Sequence, residues 1–336
     1  MTEPAIEHRP RTYPAPQFPP RKPKLFARTP PAIFPSILGL LGLGLAARRG
    51  AEVLGLDQSP LGGLVETALG GLMILWLFAI SALFGKILRR AGVLIEDLRV
   101  LPGRAGVSAA TMSGMAAAVL VPYAPGLALG LVIVALVAHG LMAAILIATL
   151  ARMAPEARSV SPVFHLAFVA FIVGALPLAQ LGEIAAATAI FWATLSVASV
   201  IWVISLWQLT RTSPPAPLRP LLAIHFAPAA FLSLVAGQIG LPTLALGFAA
   251  FGMVIFLALL AALRWITVAG FSPLWGAFTF PLTALASALL TLGGTWVWPG
   301  LFLLMLALGI VPAIAWNVLK LWPGNRLATK TNAAEA

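Results

Sequence analysis

Ten apolar segments, each near the length that crosses a lipid bilayer, fill most of the chain after its first thirty residues. A helix needs about 20 apolar residues to span a bilayer. Inside the bilayer only helices and closed barrels satisfy all their backbone hydrogen bonds. The segments run over residues 31–47, 61–88, 105–121, 124–151, 161–179, 184–210, 218–236, 241–263, 271–292 and 296–321. This pattern predicts an all-α membrane protein with ten transmembrane helices.

The composition excludes several other classes of protein. Hydrophobic residues make up 60% of the chain and charged residues only 9%, against about 25% charged in soluble domains. The chain has no cysteine, which excludes disulfides and thiolate metal sites. Its net charge of +11 comes from residues between the apolar segments rather than on one face, so we expect no nucleic-acid partner. Since no phosphate loop, catalytic cluster or metal-ligand cluster occurs, we predict no enzymatic activity, cofactor or metal.

The positive charges indicate how the chain is oriented in the membrane. All but Arg48 and Arg49 of the 21 Lys and Arg residues fall on one side of ten alternating spans. Because basic loops stay in the cytoplasm, we expect both termini to be cytoplasmic and the protein to lie in the inner (plasma) membrane. An odd number of spans would destroy this alternation.

Three regions follow from these features. Residues 1–29 form a basic, proline-rich stretch without an apolar run, which predicts a disordered cytoplasmic tail. Residues 30–322 form the transmembrane domain, and residues 323–336 form a second short cytoplasmic tail. The first apolar run begins too late for a cleaved signal peptide.

The odd-numbered segments differ from the even-numbered ones. They are shorter and rich in prolines and small residues, whereas the even-numbered segments are longer and almost free of proline. The chain therefore consists of five helical hairpins in one orientation, an arrangement that suits an inner pore ring of odd helices and an outer ring of even helices. We expect Pro35, Pro228 and Pro281 to bend the inner helices.

Four motifs carry a family resemblance that covers residues Pro30 to Leu321. They are PPAIFPSILGLLGLGLAAR, DLRVLPGRAGVSAATMS, PLRPLLAIHFAPAAFLSL and FSPLWGAFTFPLTALA. The chain resembles the tellurite-resistance and dicarboxylate transporter family, which includes bacterial TehA and the slow anion channels of plant guard cells. The resemblance implies a homotrimer in which each protomer has its own pore, lined by the five odd helices and closed by a phenylalanine of the ninth. That phenylalanine corresponds to Phe280.

The candidate site residues follow from this resemblance and from the chemistry of the odd segments. A phenylalanine beside a proline in a pore helix blocks ions by steric closure and dewetting, so we predict that Phe280 is the pore gate. No Lys or Arg lies well inside an odd segment, so anions would meet weak ligands instead. The candidate pore-lining residues are Phe34, Phe164, Phe226, Ser36, Ser108, Thr111, Thr279 and Thr283. His165 and His225 are candidate proton sensors, although hydrogen bonding between helices is the alternative for both.

Three functions remain open at this stage. The first is an anion channel or transporter that passes small inorganic anions, tellurite or C4-dicarboxylates across the lipid bilayer. The second is a proton-coupled C4-dicarboxylate (malate) carrier that uses His165 or His225. The third is a membrane enzyme or assembly factor that transports nothing, which the lack of a catalytic cluster disfavours. The residues do not specify the substrate, the stimulus that opens the gate or any link to tellurite resistance.

Overall fold

The computed structural model describes residues 25–336, and this part of the chain is helical and contains no strand. Most of the predicted tail 1–29 lies outside the described residues, and its disorder stays a prediction. The α-helices are α1 (Phe34–Val53), α2 (Pro60–Arg89), α3 (Gly92–Arg99), α4 (Leu101–Val119), α5 (Pro125–Ala151), α6 (Phe171–Gln180), α7 (Ile184–Arg211), α8 (Phe226–Gln238), α9 (Pro242–Ala261), α10 (Leu263–Ile266), α11 (Thr279–Leu292), α12 (Val297–Leu319) and α13 (Arg326–Thr331). The predicted all-α fold is confirmed.

Eight helical stretches of the described chain are long and apolar enough to cross a membrane. They are Pro31–Val53, Pro60–Arg89, Pro125–Ala151, Ile184–Arg211, Ala216–Gln238, Pro242–Ala261, Pro273–Leu292 and Gly294–Leu319. The predicted number of ten is therefore not confirmed.

The two predicted spans outside this set are the third and the fifth. The helical stretch His165–Gln180 is only about 24 Å long at 1.5 Å per residue, which is less than the 30 Å or so of a bilayer core. The helix α4 has 19 residues but contains Arg104 and several glycines and serines. Because most of α4 is buried against protein, its outer surface does not need the strong hydropathy of a helix that faces lipid.

Five helices touch one another in a closed cyclic order. Each of α1, α4, α6, α8 and α11 contacts the next, and α11 returns to α1. These helices come from the five odd-numbered segments. A second helix packs against each of them, with α2, α5, α7, α9 and α12 in corresponding positions.

Burial separates the two sets of helices. In the three helices of the first set that qualify as spans, 72% to 83% of the most apolar stretch is buried, against 22% to 39% in the five helices of the second set. The second set carries the large exposed side chains Ile74, Val203, Val254 and Met305. Its exposed apolar surface matches a lipid environment, and the first set forms the protein core.

Most helices of the first set begin with irregular backbone. A 3-10 helix precedes α1, α8 and α11, at Pro31–Ile33, Ala216–His225 and Pro273–Phe278, and a π-helix at His165–Val169 precedes α6. Pro35 is the second residue of α1, whereas Pro228 and Pro281 are the third residues of α8 and α11. These prolines thus lie in the first turn of each α-helix, where a missing N–H is tolerated.

Close contact between α1 and α11 depends on a glycine. A Cβ atom placed on Gly39 would overlap the side chain of Thr279. The Thr279 hydroxyl lies 2.7 Å from the carbonyl oxygen of Gly276 and 3.1 Å from that of Pro35. The threonine therefore links the start of α11 to the start of α1 across a surface that admits no larger side chain.

Candidate functional site

A cavity of about 560 Å³ opens at the end of the bundle where α1, α4, α6, α8 and α11 finish. We call this cavity the vestibule. The five helices contribute Leu45, Val119, Leu176, Leu234 and Ser287 to its wall, in that order. Because every helix of the ring lines it, the vestibule lies on the axis of the ring.

One face of α11 supplies hydroxyl groups to the vestibule. Phe280, Thr283, Ser287 and Thr291 recur every three or four residues and all line the cavity, as expected for one face of a helix. Gly42 of α1 lies opposite, and a Cβ atom there would come within 3.5 Å of the Phe280 ring. Thr283 lines the vestibule one turn beyond Phe280, and its predicted role in the pore lining stays a prediction.

Two stacked phenylalanines lie at the inner end of the vestibule. The rings of Phe231 from α8 and Phe280 from α11 have centroids 5.1 Å apart and planes inclined by 21°. Both rings also line a second space of about 10 Å³, the inner cavity, together with Met112, His165 and Pro228. Such a volume holds about one water molecule. The two rings therefore separate a wide space from a very narrow one.

A third space continues the series toward the other end of the bundle. This mouth cavity of about 20 Å³ is lined by apolar residues from the helix starts, including Pro35 and Pro273. It shares Leu166 and Ile224 with the inner cavity. Vestibule, inner cavity and mouth cavity thus follow one another, and each shares lining residues with the next.

Among the described residues that line this route, charged side chains occur only in the vestibule, its widest part. Arg48 donates hydrogen bonds of 2.7 and 2.6 Å to the two carboxylate oxygens of Glu66, and Arg49 donates one of 2.8 Å to Glu52. Asp57 also lines the vestibule. Both guanidinium groups are therefore paired with carboxylates, and the fully ionised vestibule has one more negative than positive charge.

The two candidate proton sensors lie in contact with each other. Nε2 of His165 and Nδ1 of His225 are 3.0 Å apart, so one imidazole donates a hydrogen bond to the other. His165 lines the inner cavity, whereas His225 lines a separate side cavity of about 400 Å³. The indole N–H of Trp202 donates to the carbonyl oxygen of His225 at 3.0 Å. The pair therefore bridges two spaces.

The other predicted aromatic residues lie away from the cavities described above. Phe34 is fully buried in the main core. Phe164 packs edge-on against Phe168, and Phe226 packs edge-on against Phe256 of α9. Their assignment to the pore lining stays a prediction, and their observed contacts are those of packing residues.

The remaining predicted hydroxyls face other helices. Ser108 contacts the sulfur of Met142 at 3.7 Å, and Thr111 lies 2.7 Å from Nδ1 of His139. Both partners belong to α5 of the second set. The Ser36 hydroxyl is buried without a hydrogen-bond partner among residues 25–336, near the backbone of Gly276.

Sequence reasoning missed Phe231, although it named Phe226 on the same helix. Five residues rotate a side chain by about 140° around a helix at 100° per residue, so the two rings point in different directions. The signal that would have identified Phe231 is its spacing from Pro228: it follows that proline by one turn, on the face that meets α11.

Comparison with known protein families gives one match that covers most of the chain. The family described as voltage-dependent anion channel matches residues 28–321. None of the curated proteins compared with the chain matches it. The matched region begins before α1 and ends just after α12, so it includes every helix that lines the three cavities.

Proposed function

The chain belongs to the family of voltage-dependent anion channels, and from this membership we propose that it passes small anions through the ring of α1, α4, α6, α8 and α11, with Phe280 as the gate. The resemblance to the tellurite-resistance and dicarboxylate transporter family is confirmed by the same match. The chain is thus a multi-pass membrane protein of an anion-transporting family. The route and the gate are our proposal.

One observation carries the proposal. Phe280 lies between the vestibule and the inner cavity, stacked on Phe231, and its ring lines both spaces. Rotation of these two side chains would join the spaces without any change in the helices. A pair of apolar rings at such a point excludes ions because the narrow space beyond them is too small to keep an ion hydrated.

The conducting path would hold anions weakly. Ser287 and Thr291 bring hydroxyl groups to the lining of the vestibule, whereas the buried Thr283 hydroxyl donates to the carbonyl oxygen of Phe280 at 2.9 Å. Both arginines of the vestibule are paired with carboxylates. Conduction requires an ion to leave each site as readily as it binds. Weak hydroxyl ligands meet this requirement better than an unpaired guanidinium.

The arrangement in the membrane completes the proposal. The contacts between helices support ten spans in five hairpins, with α4 and the stretch His165–Gln180 crossing inside the protein rather than against lipid. The vestibule then opens away from the cytoplasm, since Arg48 and Arg49 line it, and both termini are cytoplasmic in an inner membrane. A homotrimer rests on the family resemblance and on the exposed apolar faces of the outer helices.

Anion flux into reconstituted vesicles tests the gate. We expect Phe280→Ala to raise chloride, nitrate or malate flux several-fold and Phe280→Leu to raise it less, because the barrier depends on ring bulk. Phe302→Ala is the matched control, since Phe302 is 64% exposed on the outer surface of α12. A well-folded Phe280→Ala protein with unchanged flux would remove Phe280 from the gate.

A proton-coupled dicarboxylate carrier is the second candidate. The hydrogen bond between His165 and His225 favours it, because the pair connects the inner cavity with another space. Malate uptake that follows a pH gradient without measurable current would support the carrier. Single-channel currents would support the pore.

A further inference from the structure

His165 has an unused nitrogen beside the anion path. Its Nε2 bonds to His225, but Nδ1 is buried and has no hydrogen-bond partner among residues 25–336. The residue is only 2% exposed. Buried polar atoms are nearly always hydrogen-bonded, and an unpaired one is costly. His165 also begins the π-helical stretch His165–Val169, a rare geometry that is frequent at functional sites.

The inner cavity contains no other group that can carry charge. Its described lining is apolar apart from His165 and contains no Lys, Arg, Asp or Glu. An anion that passes Phe280 would therefore enter a small apolar space next to one imidazole. An unpaired ion in such surroundings is strongly disfavoured.

We propose that His165, protonated by way of His225, is the anion-binding group of the inner cavity. His225 takes a proton from water in the side cavity and releases the proton on its Nδ1 to Nε2 of His165. His165 then has protons on both nitrogens, and its free Nδ1–H donates to a small anion in the inner cavity. The inference rests on the proposed anion path. It adds protonation of His165 as a condition for anion binding in the inner cavity.

Because His165 is buried among apolar groups, it carries a positive charge only when an anion lies beside it. Packed elements bring two other titratable groups, His139 from α5 and Arg104 from α4, but His139 lies against the Thr111 hydroxyl and Arg104 donates to the carbonyl oxygen of Leu98 at 2.7 Å. The helix α7 contributes Trp202, whose ring centroid is 5.5 Å from that of His165. An aromatic ring within about 6 Å attracts a cation.

Anion and proton binding would then favour each other. A negative charge beside an imidazole favours its protonated form, and a protonated imidazole favours the anion. This linkage is reciprocal. The inner cavity holds about one water molecule, a volume closer to that of a small monovalent anion than to that of a dicarboxylate. We therefore expect anion flux to rise as the pH on the side-cavity face falls.

The test measures nitrate flux into vesicles that contain the full-length protein, between pH 5.5 and pH 8, with a pH-sensitive dye inside to follow protons. We expect flux of the unaltered protein to rise at least about fivefold at acidic pH, with the interior pH unchanged by nitrate uptake because the proton stays on His165. His165→Gln should show only the low alkaline flux at every pH. His225→Gln should shift or weaken the acid response, because it removes the proton donor but leaves the anion-binding group.

The matched control is His139→Gln, since His139 is also fully buried but does not line the inner cavity; it should keep the acid response. A pH-independent flux in the unaltered protein, or a full acid response in a folded His165→Gln protein, would overturn the proposal. Both results leave the anion path itself intact. By contrast, a failure of the proposed function would appear as an absence of nitrate flux in every variant, including Phe280→Ala.

Discussion

At the scale of single residues, the stacked rings of Phe231 and Phe280 close the proposed anion path. The motif FSPLWGAFTFPLTALA identified Phe280, and Thr283 was a candidate because of its hydroxyl; both residues line the vestibule. Which face of each other helix points toward the axis was not predictable. An error of one residue in the position of a helix rotates each side chain by about 100° around the helix. Phe226 and Thr111 illustrate this limit, since both contact helices of the second set.

The partnership of the two rings predicts non-additive flux. Phe231→Ala should raise anion flux, and the Phe231→Ala/Phe280→Ala double variant should raise it by less than the product of the single effects, because residues in contact couple. Phe302→Ala, on the exposed surface of α12, is the control and should leave flux near that of the unaltered protein. Single effects that multiply in the double variant would show that the rings act as independent barriers.

At the scale of helices, a buried ion pair joins α2 to α3. Lys86 and Asp97 are 2.7 Å apart with side chains 0% and 2% exposed. Lys86 also donates to the carbonyl oxygen of Thr29 at 3.1 Å, and the Ala334 N–H donates to the other Asp97 oxygen at 2.8 Å. The pair therefore holds the start of the first span and the end of the chain together. This ion pair was not predictable from the sequence, because Lys86 fits the pattern of a cytoplasmic loop charge.

Burial raises the pKa of Asp97, although Lys86 and the Ala334 N–H oppose this shift. The folded protein therefore binds a proton at Asp97 more tightly than the unfolded chain does. Stability from this group is thus largest below the unfolded pKa and is lost as the pH rises through the folded pKa. A raised pKa of Asp97 is expected where the desolvation of a carboxylate outweighs its attraction to a nearby cation.

Replacement of the carboxylate by an amide should destabilise the protein through its hydrogen bonds. We expect Asp97→Asn to lower the free energy of unfolding by about 1–3 kcal/mol, because both Asp97 oxygens accept hydrogen bonds, from Lys86 and from the Ala334 N–H, and the amide nitrogen of Asn would face one of these donors. The Lys86→Met/Asp97→Asn double variant should recover part of this loss. Thermal unfolding in detergent measures both. Glu96→Gln on the same helix is the control, since its ion pair with Arg90 is exposed and should contribute about 1 kcal/mol or less. Equal losses at Asp97 and Glu96 would contradict the assignment.

The prolines predicted bends within the inner helices rather than irregular helix starts. Pro35, Pro228 and Pro281 lie in the first turn of α1, α8 and α11, and 3-10 helices precede these three helices. The π-helix His165–Val169 has no such signal, since Pro177 is the only proline inside α6. Its form depends on packing against α7 and α4, which the sequence alone does not specify.

At the scale of the whole molecule, the alternation of charge predicts that α4 and the stretch His165–Gln180 both cross the membrane. Alkaline phosphatase fused after Tyr123 or Gly182 should be active, because those loops would lie outside the cytoplasm. Fusions after Arg158 or Arg211 should be inactive. An inactive fusion after Tyr123, with normal expression, would show that α4 does not cross and would reduce the number of spans below ten.

A ring of the five odd helices could be anticipated from the sequence, since five similar hairpins in one orientation close most simply around an axis. The residues that face the axis of this ring could not be anticipated. Which residues meet at the axis depends on the rotation of each helix, and the pairing of His165 with His225 joins positions far apart in the chain. The tail before residue 25 contributes nothing to this comparison because it lies outside the described residues.

The rings of Phe231 and Phe280 are proposed to close a continuous path along the axis of the inner ring. Because the chain has no cysteine, single cysteines can report access from the vestibule side to a membrane-impermeant, negatively charged thiol reagent. Ser287→Cys, in the vestibule, should react whether or not Phe280 is changed, whereas Ala227→Cys, in the inner cavity, should react only when Phe280 is also replaced by Ala. Reaction of Ala227→Cys at the Ser287→Cys rate with Phe280 intact, or no reaction after Phe280→Ala, would contradict the account.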